Sequence, residues 1–352
     1  MRAEIGEQPR ALRATLDALL PRAEEAAALA RGTRGVMFIA RGTSDNAAVY
    51  GSYLAQVCAG RLATLASPSV ATAYRSRVDL SGVLAVALSQ SGRTEEIVET
   101  LGWAAGCGAR TLAITNGAGS PLAEAADVAF VTEAGTERAV PATKTFTTQL
   151  AALAVVGIGL GAAASGGGTV AGRDSRLDPG ALRAVPDEIE KLLSAPVDVA
   201  PIVAELAGVQ GVVVSGRGFA YAAALEFALK LKEACYLHAM GLSFADLLHG
   251  PIAVVDSGTP AIIVAAGTGP VLEHAIALAG RVTGAGARAY GIGGGPGLAR
   301  ACRHALPGPD LPEWLAPIGL ITGGQLVTEA LARRLGINPD SPRGLSKVTQ
   351  TG

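Results

Sequence analysis

The chain repeats one pattern at long range, and this repeat restricts the fold more than any single motif does. Val36-Met37-Phe38-Ile39-Ala40-Arg41-Gly42 answers Val212-Val213-Val214-Ser215-Gly216-Arg217-Gly218, residues 82–88 answer 258–264, and 108–114 answer 286–292, at offsets of 176, 176 and 178. Each copy reads strand, glycine turn, helix, strand, turn, helix, strand. That alternation predicts an α/β protein with two tandem doubly wound parallel sheets, each in a three-layer α/β/α arrangement. Ligands of such sheets sit outside the carboxyl ends of the strands.

Ser165-Gly166-Gly167-Gly168 opens a stretch to about residue 179 that is rich in Gly, Ser and charge, which predicts a linker and a boundary near 175. The expected organisation is a helical segment at 1–34, a first domain at 35–175, a second at 176–335 and a tail at 336–352. Leu12, Leu16, Leu19 and Leu20 share one face of the helical segment, which packs either on the first domain or on another subunit. With 352 residues and 49% hydrophobic content, the core is large enough for two domains. Lys and Arg number 29 against 30 Asp and Glu, a balance that excludes nucleic acid as the expected partner. The apolar run at 150–164 carries three glycines and falls short of the ~18–20 residues of a spanning helix, so a buried helix is expected and no membrane partner. MRAEIGEQPRALRATL lacks the apolar centre of a signal peptide, which predicts a cytoplasmic protein. Cys58, Cys107, Cys235 and Cys302 form no C-x-x-C pair and read as buried thiols in a reducing compartment. His238, His249, His274 and His304 have no metal-ligand spacing, so no metal is expected.

Ser89-Gln90-Ser91-Gly92-Arg93-Thr94 lies where the strand-like run Val83–Leu88 hands over to the helix-like run Glu95–Gly106. Free N–H groups and the positive end of the macrodipole meet three hydroxyls there, an arrangement suited to phosphate. The plainer alternative is an ordinary N-cap. Without a Lys after the glycine there is no Walker pattern, which points to a phosphorylated small molecule rather than a nucleoside triphosphate. The second half has Ala265-Ala266-Gly267-Thr268-Gly269 in the corresponding place, and its Gly216-Arg217-Gly218 lacks the third small residue of a dinucleotide fingerprint.

Residues 222–239 read as one helix with Glu226, Lys230 and Glu233 at i, i+4 and i+7 among apolar neighbours. Such a stripe is either a solvated edge or the wall of a wet pocket, and periodicity alone favours the edge. In apolar surroundings a carboxylate would have a raised pKa and serve as a general base. His249-Gly250-Pro251 punctuates a loop before a strand expected at 252–255, and the tail Ser341-Pro342-Arg343-Gly344-Leu345-Ser346-Lys347 ends on a lysine.

Taken in order, ARGTS at 40–44, SQSGRT at 89–94, TERAVPATKTFTTQ at 136–149, ALEFALKLKEACYLHA at 224–239, HGP at 249–251 and SPRGLSKV at 341–348 resemble the sugar isomerase (SIS) superfamily. The resemblance is strongest to the isomerase half of the glucosamine-6-phosphate synthases and runs from EIGEQP to the tail. It implies two flavodoxin-like SIS domains. It also implies that Thr43, Ser44, Ser89, Gln90, Ser91 and Thr94 hold a sugar phosphate, with Val140 lining the site and Glu226 in a supporting position. Glu233 would move a proton between C1 and C2 through an enediol or enolamine, and Lys230 and Lys347 would steady developing charge. His249 would assist ring opening from the neighbouring subunit of a homodimer. The resemblance calls for no cofactor. The chain departs from the synthases in beginning at the isomerase portion, without a glutaminase domain and its Cys nucleophile, so the expectation is that it does not draw ammonia from glutamine. Deaminating isomerisation of glucosamine 6-phosphate, or a related aldose–ketose isomerisation, is the activity this implies. Pro141-Ala142 and Arg41 depart from the synthase pattern and leave substrate choice open. Two alternatives stand: dehydration of N-acetylglucosamine 6-phosphate by C2 proton removal and loss of the C3 hydroxyl, and a non-catalytic phosphosugar sensor. Residues 1–34 are too short and too poor in basic residues for the helix-turn-helix of a regulator.

Overall fold

The computed structural model describes residues 1–164 and 177–347, so the boundary expected near 175 and most of its linker lie outside the described residues. Two compact units are present. The first unit comprises Arg10–Glu137 and Lys144–Arg183; the second comprises Met1–Pro9, Arg138–Thr143 and Ala184–Lys347.

The first unit is built on five strands: β1 (Gly35–Ile39), β2 (Leu62–Leu65), β3 (Val83–Leu88), β4 (Arg110–Thr115) and β5 (Val128–Val131). They are all parallel, in the order β2-β1-β3-β4-β5. The second unit carries β6 (Gly211–Gly216), β7 (His238–Ser243), β8 (Ala261–Ala265), β9 (Ala289–Gly293) and β10 (His304–Leu306), again all parallel. Its order β10-β9-β8-β6-β7, read from the β7 edge, is the same arrangement. The long-range repeat is therefore a repeat of fold, as its alternation predicts. It marks β1, β3 and β4 with their counterparts β6, β8 and β9, the interior strands, which are buried on both faces and read as continuous apolar runs. Edge strands β2, β5 and β10 have only four, four and three residues and half-exposed patterns, which leaves little periodicity to read.

Two local expectations are corrected. The helix expected at 222–239 is Ala220–Cys235; Tyr236 turns into the left-handed region at φ 56°, and β7 follows. The strand expected at 252–255 is a 3₁₀ turn, Pro251–Val254, entered through Gly250 at φ 126°. Proline at the first position of that turn has no N–H for a strand ladder.

In the first unit, Ile97, Leu101 and Ala104 form one face of helix Glu95–Gly106 and pack on Ala85 and Ala87 of β3. Helix Lys144–Ala164 begins six residues before the apolar run and is long and apolar enough to cross a membrane, yet 78% of its apolar window is buried inside the protein. Its glycines serve close packing. A Cβ on Gly159 would fall 2.6 Å from the carbonyl oxygen of Ala23 and 2.8 Å from Ala26 Cβ. Leu12, Leu16, Leu19 and Leu20 are buried. Arg22 donates to the Ala129 carbonyl at 2.9 Å, and Arg110 to the Leu29 carbonyl at 2.8 Å, so residues 10–30 pack on the first unit of their own chain. All four cysteines are free thiols. Cys235 is buried, as expected, with its thiol pushed up to about 12 by burial, whereas Cys58, Cys107 and Cys302 are only partly covered.

Gly159→Ala should cost about 1–3 kcal/mol by overpacking against the backbone at Ala23. Urea denaturation reads this directly, and an unchanged midpoint would show that the spacing between these helices is not set at Gly159.

Candidate functional site

A sheet of order 2-1-3-4-5 reverses direction between its first and third strands. The connections leaving those strands pass to opposite faces, which opens a crevice at their carboxyl ends. In the first unit these ends are Ile39 and Leu88, and the hydroxyl-rich segments follow both. After β1, Gly42 at φ 56° starts helix Thr43–Tyr53, and a Cβ on Gly42 would meet nothing within 4 Å. Ser44, 7% exposed, accepts from Gln149 Nε2 at 3.0 Å and donates to its Oε1 at 3.2 Å. Gln149 belongs to the string TERAVPATKTFTTQ but carries no signal of its own, and the sequence reading missed this support.

After β3, the loop folds on itself. Ser89 Oγ accepts from Gly92 N at 3.2 Å, Ser91 Oγ accepts from Arg93 N at 3.2 Å, and Ser89 Oγ lies 3.4 Å from Thr94 Oγ1. A hydroxyl oxygen that accepts from backbone still has its proton to give, so the loop presents donors. The Gln90 carbonyl accepts from Asn116 N at 3.0 Å, tying the loop to the end of β4. Thr94 is the N-cap residue of Glu95–Gly106, but its side chain makes no capping bond, which removes the plain N-cap reading. Gly92 sits at φ 64°, and a Cβ there would fall 2.1 Å from Ser120 Oγ, so the loop requires glycine. Thr43, Ser44, Ser89, Gln90, Ser91 and Thr94 thus lie at two adjacent strand ends of one unit. Arg41 makes a bidentate pair with Glu96, both bonds 2.9 Å, joining the turn after β1 to the helix after β3.

The other expected residues belong to the second unit. Helix Ala220–Cys235 is enclosed by β6, β7 and helix Ala316–Arg334; a Cβ on Gly324 would strike the Phe227 ring at 2.7 Å. The solvated-edge reading of its charged stripe is overturned by this burial. Glu226 is fully buried, Lys230 is 1% exposed and Glu233 24% exposed, and the lysine bridges both carboxylates, at 3.3 Å from Glu226 Oε1 and in direct hydrogen-bond contact with Glu233. Burial opposes the charge on Lys230, but the carboxylates of Glu226 and Glu233 outweigh it and hold the ammonium above the ordinary lysine value.

The tail meets the segment that bears Val140. Lys347 donates to the Ala139 carbonyl at 2.6 Å, and Val140 N donates to the Asp340 carbonyl at 2.9 Å. Arg343 lies 4.2 Å over the Tyr236 ring at the end of helix Ala220–Cys235, and its N–H donates to the Tyr236 hydroxyl at 2.8 Å. Glu4 of EIGEQP accepts from Arg138 N and from Ala139 N at 3.2 Å, a brace the sequence reading did not identify. His249 is exposed, at the C-terminal cap of Phe244–Leu248.

Lys230→Met should cost about 3–5 kcal/mol, because it strands Glu226 in the interior, and adding Glu226→Gln should recover part of the loss. Chemical denaturation of the three proteins checks this; a loss below about 1 kcal/mol for the single variant would contradict a closed charge cluster.

The SIS domain model matches residues 31–158 and 205–312. A glutamine–fructose-6-phosphate aminotransferase of Symbiobacterium thermophilum is 36% identical over 99% of this chain and 58% of its own length. The chain spans a little over half the length of relatives of this type. The C-terminal domain of glucosamine-fructose-6-phosphate aminotransferase from Francisella tularensis superposes with a TM-score of 0.85, at 27% identity over 96% of this chain and 97% of that one. A glucosamine-6-phosphate deaminase from Thermotoga maritima shares the fold, with a TM-score of 0.76 at 23% identity over 99% of both chains. The two matched regions fall on the two parallel sheets, and the chain belongs to the SIS domain family.

Proposed function

We propose that the protein is a phosphosugar enzyme that converts glucosamine 6-phosphate to fructose 6-phosphate and ammonia by deaminating isomerisation. The observation that carries this reading is the charge cluster on helix Ala220–Cys235. A fully buried Glu226 and a buried Lys230 hold Glu233, the member of the three that reaches solvent. A positioned carboxylate beside an ammonium is what a proton shift next to a carbonyl or imine needs.

In the open-chain substrate, Glu233 takes the C2 proton, giving an enolamine, and returns a proton to C1. The resulting C2 imine is hydrolysed by water, so one water is consumed and one ammonia released. Lys230 steadies the negative charge that develops as the C2–H bond breaks, and Lys347 serves the C1 oxygen. His249, exposed on its own chain, assists ring opening in the site of a second copy, which makes the working unit a homodimer. Thr43, Ser44, Ser89, Gln90, Ser91 and Thr94 take the phosphate, Val140 lines the site, and the binding energy of that remote group orients the reacting carbons. The resemblance to aminotransferases acting on fructose 6-phosphate supports an amino-sugar phosphate as the substrate class.

The test is incubation of the purified protein with glucosamine 6-phosphate and, separately, N-acetylglucosamine 6-phosphate. Ammonia and fructose 6-phosphate in equal amounts from the first are expected; an ultraviolet-absorbing product from the second alone would replace the deaminase by a dehydratase, and turnover of neither would contradict both. Glu233→Gln should lose at least about 10²-fold in kcat, the low end for a general base, while retaining substrate binding. Full activity in that variant would remove Glu233 from the mechanism.

A further inference from the structure

The second sheet has its own switch point, between β6 and β8, and something already occupies it. Strand registers pair Ile39 with Ala87 in the first unit and Gly216 with Val264 in the second, an offset of 177 on both strands. Carried forward, that offset sets Gly92 against Gly269, Thr94 against Val271, and the start of helix Glu95–Gly106 against the start of helix Leu272–Gly284. Both glycines hold positive φ, 64° and 108°. The loops are the same device with different contents.

The contents can be compared through the glycines. In the first unit a Cβ on Gly42 would meet open space, and one on Gly92 would lie 2.1 Å from the hydroxyl of Ser120, so no carboxylate lies against either glycine. In the second, a Cβ on Gly218 would lie 3.4 Å from Glu313 Oε1, and one on Gly269 would lie 2.3 Å from Glu313 Oε2. One carboxylate therefore rests against both loops at the carboxyl ends of β6 and β8. These ends precede helices Ala220–Cys235 and Leu272–Gly284, whose first turns favour negative charge.

We infer that Glu313 is an internal anion that closes a second phosphate-type site, so that the chain binds tetrahedral anions through its first unit only. Glu313 is tethered three residues before helix Ala316–Arg334, and a tethered carboxylate competes with free phosphate at high effective concentration. Gly218 and Gly269 leave room for that carboxylate, and a side chain at Gly269 would collide with it. The inference borrows from the proposed function only the reading of the Ser89–Thr94 loop as a phosphate site.

The experiment counts inorganic phosphate bound per chain, by equilibrium dialysis of the full-length protein and of Glu313→Ala, with Glu313→Ser as a second variant in case the first does not fold. Each folded variant should bind one phosphate more than the wild type, and the added site should persist when Ser89→Ala and Ser91→Ala are introduced with it. A folded variant with the wild-type stoichiometry overturns the inference. A wild type that binds no phosphate while Glu313→Ala binds one would count against the first-unit site and still support the plug.

Discussion

Strand order is the constraint on which the rest of this structure depends. In each unit the first and third strands lie side by side and send their connections to opposite faces, so a crevice opens at their carboxyl ends whatever residues follow. The chain meets this demand twice, with different side chains. After β1 it places hydroxyls and a glycine facing open space, and after β3 hydroxyls and a glycine against Ser120; after β6 and β8 it places glycines against the carboxylate of Glu313. Duplication of the frame thus does not duplicate the groups at its crevice, and the difference is chemical rather than topological.

The same frame explains why helix Ala220–Cys235 tolerates the charges of Glu226, Lys230 and Glu233 along one covered face. It follows β6 and is covered by β7 and helix Ala316–Arg334, so its alanines and Phe227 are buried. Lys230 between Glu226 and Glu233 answers the burial of each partner with opposite charge at hydrogen-bond range. Removing Lys230 takes the counter-charge from two carboxylates, one of them fully buried, whereas the intact cluster holds Glu233 in a fixed attitude at its exposed end. Stability and orientation come from the same contacts.

Much of this was legible in the sequence. The repeat marked the interior strands because strands buried on both faces must be apolar throughout, and the hydroxyl loop stood out because three hydroxyls around a glycine exceed the needs of a cap. Periodicity misread the Glu226, Lys230 and Glu233 face, since a charged stripe looks the same whether water or a neighbouring helix covers it. β7 was hidden because the apolar pattern of 222–239 continues through Tyr236, whose left-handed turn has no sequence signature. The parts played by Gln149, Glu4 and Glu313 were invisible for a common reason. Each acts on residues more than forty positions away, through contacts that exist only after folding.

Under the proposed reading, two equal frames carry one open phosphate site. Titration of the isotopically labelled wild-type protein with glucosamine 6-phosphate, followed through backbone amide chemical shifts, tests it most directly. The amides of Thr43, Ser44 and Ser89 to Thr94 should shift together and saturate, with those of Gly216 to Gly218 and Gly267 to Gly269 unmoved. Saturable shifts at Gly267 to Gly269, or silence at Ser89 to Thr94, would contradict it.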